Sequence, residues 1–230
     1  MSRVPILDPQ AVPVLGRDTD LPPVPPERLT AAALRQRFLA PPPWQPEIPG
    51  DGRTFEREPA HAAVLVPLMM RDAGLQLLLT RRTEHLRDHA GQISFPGGRV
   101  EASDADSEAT ALREAEEEIG LPHARVEVIG RLPLYTTITA FVVTPVVALV
   151  HPGFELKLDA FEVAEAFEVP LDFLMNPAHH QHHEFELEGA RRSFLSMPWE
   201  GPGADGVRRS YFVWGATAAM LRNLYRLLAA

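Results

Sequence analysis

The sequence predicts an α/β (α+β) domain behind a proline-rich arm, on three observations. Apolar runs of strand length recur from residue 61 onward, separated by turn residues. Two segments, around 107–119 and toward the C-terminus, carry helical spacing instead. Roughly half of the 23 prolines crowd into the first fifty residues. The 230 residues suffice for one domain with its own core, and 45% apolar with 23% charged residues is an ordinary soluble composition.

The elements follow in order. VLGRDTDLPPVPPERL and APPPWQPEIPGDG cannot hold helix or central strand, because proline lacks the N–H and fixes φ. Residues to about 28 are expected to be an extended or disordered arm. LTAAALRQRFL predicts a short helix near 30–39 with Thr30 as N-cap, and the second proline cluster a linker. The division is therefore an arm over 1–50 and a domain over 51–230. HAAVLVPLM and LQLLLTRR, separated by RDAG, predict a β-hairpin, and a long loop follows. SEATALREAEEEI predicts a helix capped by Asp106 or Ser107 and ended by Gly120. VEVIGRLPLY, FVVTPVVALV and EVAEAFEVP predict strands, and Pro170-Leu171-Asp172 starts a short helix. HEFELEG and RRSFLSM predict a weaker hairpin, and RSYFVWG leads into a last helix that packs through Met220, Leu221, Leu224, Leu227 and Leu228.

The formal charge of −9 argues against nucleic-acid and anionic-membrane partners. The absence of cysteine removes disulfides, thiolate metal sites and cysteine nucleophiles. No apolar run is long enough to span a bilayer, and prolines interrupt the first residues, so a cytoplasmic location is expected. The sequence leaves open whether the chain acts alone or as a homodimer.

REAEEEIG, residues 113–120, is locally unfavourable. On a helical wheel Leu112, Ala115 and Ile119 share the packing sector, Glu114 and Glu118 stack on another face, and Arg113 pairs with Glu117. Like charges four apart cost a few tenths of a kcal/mol. Carboxylates at a helix C-terminus each oppose the dipole by roughly 0.3–1 kcal/mol. A bound cation would relieve this, and oxygen-only ligands suit Mg2+ or Mn2+. The plain alternative is a solvated acidic face. Gly97 and Gly98 in FPGG, just upstream, let backbone approach a ligand closely.

Together these residues resemble the Nudix hydrolase signature. Residues 113–121 (Arg113, Glu114, Glu117, Glu118, Gly120, Leu121) match its second half at every position. The first half departs: Arg99 stands where the pattern has glycine, Gly98 lies one residue early, and the early glutamate falls beside Asp104 and Ala105. Upstream, LLTRRTEHLRDHAGQISFPGGRVE is similar to the motif of the coenzyme A pyrophosphatase branch, with Thr83 for a serine and Glu101 for an aspartate.

The resemblance implies an α/β/α sandwich around a mixed β-sheet, with Glu114, Glu118 and Glu117 as ligands of Mg2+ or Mn2+. It implies Arg113 as the residue that holds a glutamate in place. Arg81, Arg82 and Arg87 become candidate phosphate partners, or pair with the acidic helix, and Gly97 and Gly98 line the substrate. The implied reaction splits the diphosphate of a coenzyme A-like small molecule into 3′,5′-ADP and 4′-phosphopantetheine. ADP-ribose or a dinucleotide is the alternative substrate, and a non-catalytic binding module the alternative class. Glu162 and Glu165 are remote candidates for a general base, with surface salt-bridging as their plainer role. HHQHH (179–183) predicts a mobile loop rather than a metal site, and Trp214-Gly215 a packed corner with a substrate-side role open.

Overall fold

The computed structural model describes residues 8–51, 58–85, 91–187 and 189–230. The strands are β1 (Val14–Arg17), β2 (Ala60–Arg71), β3 (Gly74–Arg82), β4 (Ile93–Ser94), β5 (Gly97–Arg99) and β6 (Val126–Arg131). They continue with β7 (Tyr135–Thr136), β8 (Phe141–Val150), β9 (Val163–Pro170), β10 (Gln181–Leu187), β11 (Ala190–Pro202) and β12 (Arg208–Trp214). The helices are α1 (Ala31–Leu39), α2 (Ser107–Ile119), α3 (Leu171–Leu174) and α4 (Gly215–Ala229).

The main sheet is mixed. β2 runs parallel to β8 from Ala60↔Phe141 to Met69↔Val150, and all its other pairings are antiparallel. β2 and β3 form the expected hairpin, but they pair only between Leu68↔Leu77 and Arg71↔Gly74. Beyond that the strands separate, and residues 93–99 fill the gap. β4 pairs with β3 at Thr80 and Arg81, and β5 pairs with β2 at Ala62 to Val64. The Leu65 N–H donates to the Pro96 carbonyl at 2.9 Å. This inserted segment holds FPGG.

Strand alternation divides the core in two. Ala63, Leu65 and Met69 of β2 pack with Leu78, Val146, Ala148 and Val150 against Ala111, Ala115 and Ile119 of α2. Ala62, Val66 and Leu68 face the other way, with Leu77, Leu79, Val147 and Leu149, toward Leu221, Leu224 and Leu228 of α4. The result is the α/β/α sandwich. Burial on both faces explains why these strands read as nearly continuous apolar runs. A second, antiparallel sheet of order β1-β10-β11-β12 adds Leu195, Met197, Tyr211 and Val213 to the α4 side. Among the described residues no helix is long and apolar enough to cross a membrane.

Two expectations need correction. The stretch to residue 28 is extended, but it is packed rather than free. Val24 is buried, its N–H donates to the Met175 carbonyl at 3.1 Å, and Tyr225 donates to the Pro22 carbonyl at 2.9 Å. Arg28 caps the last carbonyls of α4, those of Leu228, Ala229 and Ala230. Proline brings apolar surface with no donor to satisfy, so a proline-rich segment can lie on a core with little regular structure beyond the edge strand β1.

The HHQHH segment is likewise ordered. His180 and His183 are buried. The His180 Nε2–H donates to the Leu174 carbonyl at 2.8 Å, and its Nδ1 accepts from Arg222 at 3.0 Å. Arg222, itself buried, also meets Asp18 at 2.8 Å and Glu47 at 2.8 Å. This charged network ties α4 to the N-terminal segment. Trp214 meets Phe194 edge-on at the corner where β12 enters α4.

Candidate active site

Helix α2 begins where Asp106 accepts from the N–H groups of Glu108 and Ala109, both at 2.9 Å, and ends at Gly120 in the left-handed conformation (φ 65°). Its inner face packs on the sheet beside the inserted segment. Gly97 and Gly98 are needed there for different reasons. A Cβ on Gly97, whose φ is 155°, would collide with the Ala63 carbonyl oxygen and the Val64 backbone. A Cβ on Gly98 would lie 2.5 Å from Glu114 Oε1. The first glycine lets β5 reach β2, and the second leaves room for a carboxylate.

Glu118 departs from the wheel. It was expected away from the packing face, yet it is only 5% exposed. Its Oε2 accepts from the Gly97 N–H at 3.2 Å, and its Oε1 lies 3.6 Å from Arg82 Nη1. Burial pushes its pKa up to about 8; the Gly97 N–H and Arg82 oppose the rise, and Glu114 and Glu162 add to it. Glu114 is also raised, again chiefly by burial. Glu117 is the outer member and is mostly exposed.

Arg113 organises the acidic groups. Its Nη1 donates to Glu114 Oε1 and to Glu117 Oε2, both at 3.0 Å. Its Nε and Nη2 hold Asp104 in a two-point contact at 3.0 Å each, and Nη2 also reaches the Arg99 carbonyl at 3.1 Å. Asp104 accepts further from the Glu101 N–H and the Thr110 hydroxyl, each at 2.9 Å. These donors, Arg113 foremost, hold its carboxyl far below the usual range. The longer spacer thus brings Asp104 onto the arginine of the helix. Sequence reasoning left this partner unassigned, although an acid nine residues before the arginine was its visible trace.

The neighbouring arginines part ways, as successive residues of a strand must. Arg82 joins Glu118 and lies 3.7 Å from Glu162, and its Nε is buried without a hydrogen-bond partner. Arg81 points to the opposite face, where its Nη2 meets Glu165 at 3.0 Å. Glu165 was expected at the surface but is buried, and it accepts from Tyr211 at 2.8 Å. Arg87 lies outside the described residues.

Among the described residues no three acidic or imidazole groups converge closely enough to form a ready cation cage. The chemistry of the set nevertheless suits a hard divalent ion, which binds through one or two carboxylates and keeps waters and phosphate oxygens for its remaining positions. A buried carboxylate supported by one N–H and one offset arginine lacks a full countercharge.

The family and relatives that the chain matches define a hydrolase acting on phosphorus anhydrides. The chain belongs to the Nudix hydrolase family: the NUDIX domain matches residues 59–187. It is 43% identical over 175 residues to the uncharacterized Nudix hydrolase NudL of Citrobacter koseri, spanning 76% of this chain and 84% of that one. It is 42% identical over 164 residues to NudL of Escherichia coli K12, spanning 71% and 80%. A crystal structure of a Nudix hydrolase from M. smegmatis, RenU, aligns with TM-score 0.44 and 24% identity over 54% of this chain and 78% of that one. Nudix hydrolases generally use divalent metal ions and act on small nucleotide substrates.

Proposed function

We propose that the chain hydrolyses the diphosphate of coenzyme A or its derivatives, using Mg2+ or Mn2+ and releasing 3′,5′-ADP and 4′-phosphopantetheine. The observation that carries the reading is the LLTRRTEHLRDHAGQISFPGGRVE segment. Its described parts bring Arg82 and the Gly97 N–H onto Glu118, and Gly98 onto Glu114.

In this reading Glu114, Glu118 and Glu117 hold the divalent ion. When bound, the ion neutralises phosphate oxygens and lowers the pKa of its water. The residues supply the rest. The Gly97 N–H fixes the rotamer of Glu118. Arg113, clamped by Asp104, holds Glu114 and Glu117 in register and positions them rather than touching substrate. Arg82 donates to a phosphate oxygen, a role suited to a planar guanidinium. A water oxygen bonds to phosphorus as the bridging P–O bond breaks; the departing phosphate oxygen leaves with the bonding electron pair, and the water's proton passes to solvent.

The test is product analysis with coenzyme A, ADP-ribose and NADH, each with Mg2+ and with Mn2+. Cleavage of coenzyme A to 3′,5′-ADP at the highest kcat/KM supports the proposal. Equal or better turnover of ADP-ribose or NADH overturns the substrate assignment.

A further inference from the structure

An aromatic surface stands at the rim of the acidic site. Phe161 is 65% exposed and belongs to neither core cluster. Its ring meets the His85 imidazole with centroids 4.8 Å apart and planes inclined by 58°. The loop that presents it is firmly held. The Phe161 N–H donates to Asp159 Oδ1 at 2.8 Å, and its carbonyl accepts from the Thr83 hydroxyl at 2.8 Å. The Thr83 N–H donates to the Glu162 carbonyl at 3.0 Å.

The same loop is fastened to the acidic helix, where the Asp159 N–H donates to the Glu118 carbonyl at 2.9 Å. Glu162, the next residue after Phe161, faces Arg82, which reaches Glu118. The ring is therefore presented one residue before Glu162, and the Phe161 carbonyl is bonded to Thr83, one residue beyond Arg82. Among the described residues, its sequence neighbours Asp159 and Ala160 are exposed as well.

We propose that Phe161, together with His85, is the stacking platform for the nucleobase of the substrate. The proposal rests on the acidic site being a nucleoside-diphosphate site, in which the base lies one sugar away from the reacting phosphates. A rigid exposed ring at that remove offers a π-face that stacks any base without hydrogen-bond readout.

The test compares adenosine 5′-monophosphate with ribose 5-phosphate, neither of which has an anhydride to cleave. Both are titrated calorimetrically in Mg2+ into the full chain and into its Phe161→Leu and Phe161→Tyr variants. Phe161→Leu weakens the adenine nucleotide about 5- to 100-fold, leaves ribose 5-phosphate within twofold, and raises KM for coenzyme A more than it lowers kcat. Phe161→Tyr retains wild-type affinity. Equal effects on both ligands, or none on either, overturn the proposal, as does a change of sedimentation without a change of nucleotide affinity. Preference for ADP-ribose over coenzyme A would remove the substrate assignment and leave the platform standing, since both carry adenine. Hydrolysis of coenzyme A with nucleotide binding indifferent to Phe161 would do the reverse.

Discussion

Glu118 should destabilise the metal-free protein, and its replacement by glutamine should show it. Burial pushes the carboxyl pKa in the folded chain up to about 8 from an ordinary value of 4.5. Between these values the folded chain keeps a proton that the unfolded chain has released, so stability falls as pH rises through this window. Above about pH 8 the full cost is present, up to about 5 kcal/mol by linkage. Glu118→Gln removes the charge and keeps an oxygen for the Gly97 N–H. In chelator at pH 8.5 the variant should unfold at higher urea than the wild type, and at pH 5 the two should nearly coincide. Added Mg2+ or Mn2+ should reverse the order at pH 8.5, because an ion that binds only the folded wild type stabilises it by mass action. Urea titrations followed by tryptophan fluorescence measure all of this. A variant less stable than the wild type at pH 8.5, or a gap that does not narrow toward pH 5, would refute the reasoning. An equal gain from metal in both proteins would remove Glu118 from the ligand set.

The other predictions concern the same site and its supports. Glu118→Gln should lower kcat for diphosphate hydrolysis by about 100-fold or more, read by chromatography of the nucleotide product. Gly98→Ala should fold but lose activity, because its Cβ displaces only the flexible end of Glu114. Gly97→Ala should instead destabilise the protein by about 2 kcal/mol or more, since its Cβ meets β2 backbone at a positive φ; urea midpoints separate the two. Asp104→Asn should weaken metal affinity about 10- to 100-fold by loosening Arg113, measured by Mn2+ titration. Burial lowers the His180 pKa to about 4 from 6.5, so the unfolded chain binds the extra proton and stability is lost as pH falls through that window. The loss reaches about 3 kcal/mol, and His180→Gln should flatten that part of the urea-midpoint profile.

The acidic helix was legible because its determinants are local. Asp106 as cap, Gly120 as terminator, and the Arg113–Glu117 pair all act within a few residues, and each is present in the structure. The strands were legible for a related reason: apolar runs buried on both faces leave little room for another reading. Even the separation of Arg81 from Arg82 followed from strand alternation, though both were first assigned to substrate together.

What escaped the sequence depends on contacts across long stretches of chain. The wheel located Glu118 relative to its own helix and could not show that β5 would lie against it. The opening between β2 and β3 decides that, and it admits 93–99 because Gly97 has no Cβ to strike Ala63. Burial of Glu118 and its raised pKa both accompany this one approach of backbone. The glycine pair therefore does more than permit a turn: it sets the charge balance of the site. Proline content misled in the opposite direction: it argues against a central strand, but it admits the edge strand β1 and says nothing of packing. Val24 joins the α4 side of the core from the stretch expected as a free arm, and Leu29 and Leu34 join it from the start of the expected helix. Arg28 then closes the helix end that this segment covers, so one stretch supplies both apolar burial and a cap. If the segment matters to α4 in this way, Arg28→Ala should lower the urea midpoint without altering KM, which separates support of the scaffold from any role in the acidic site.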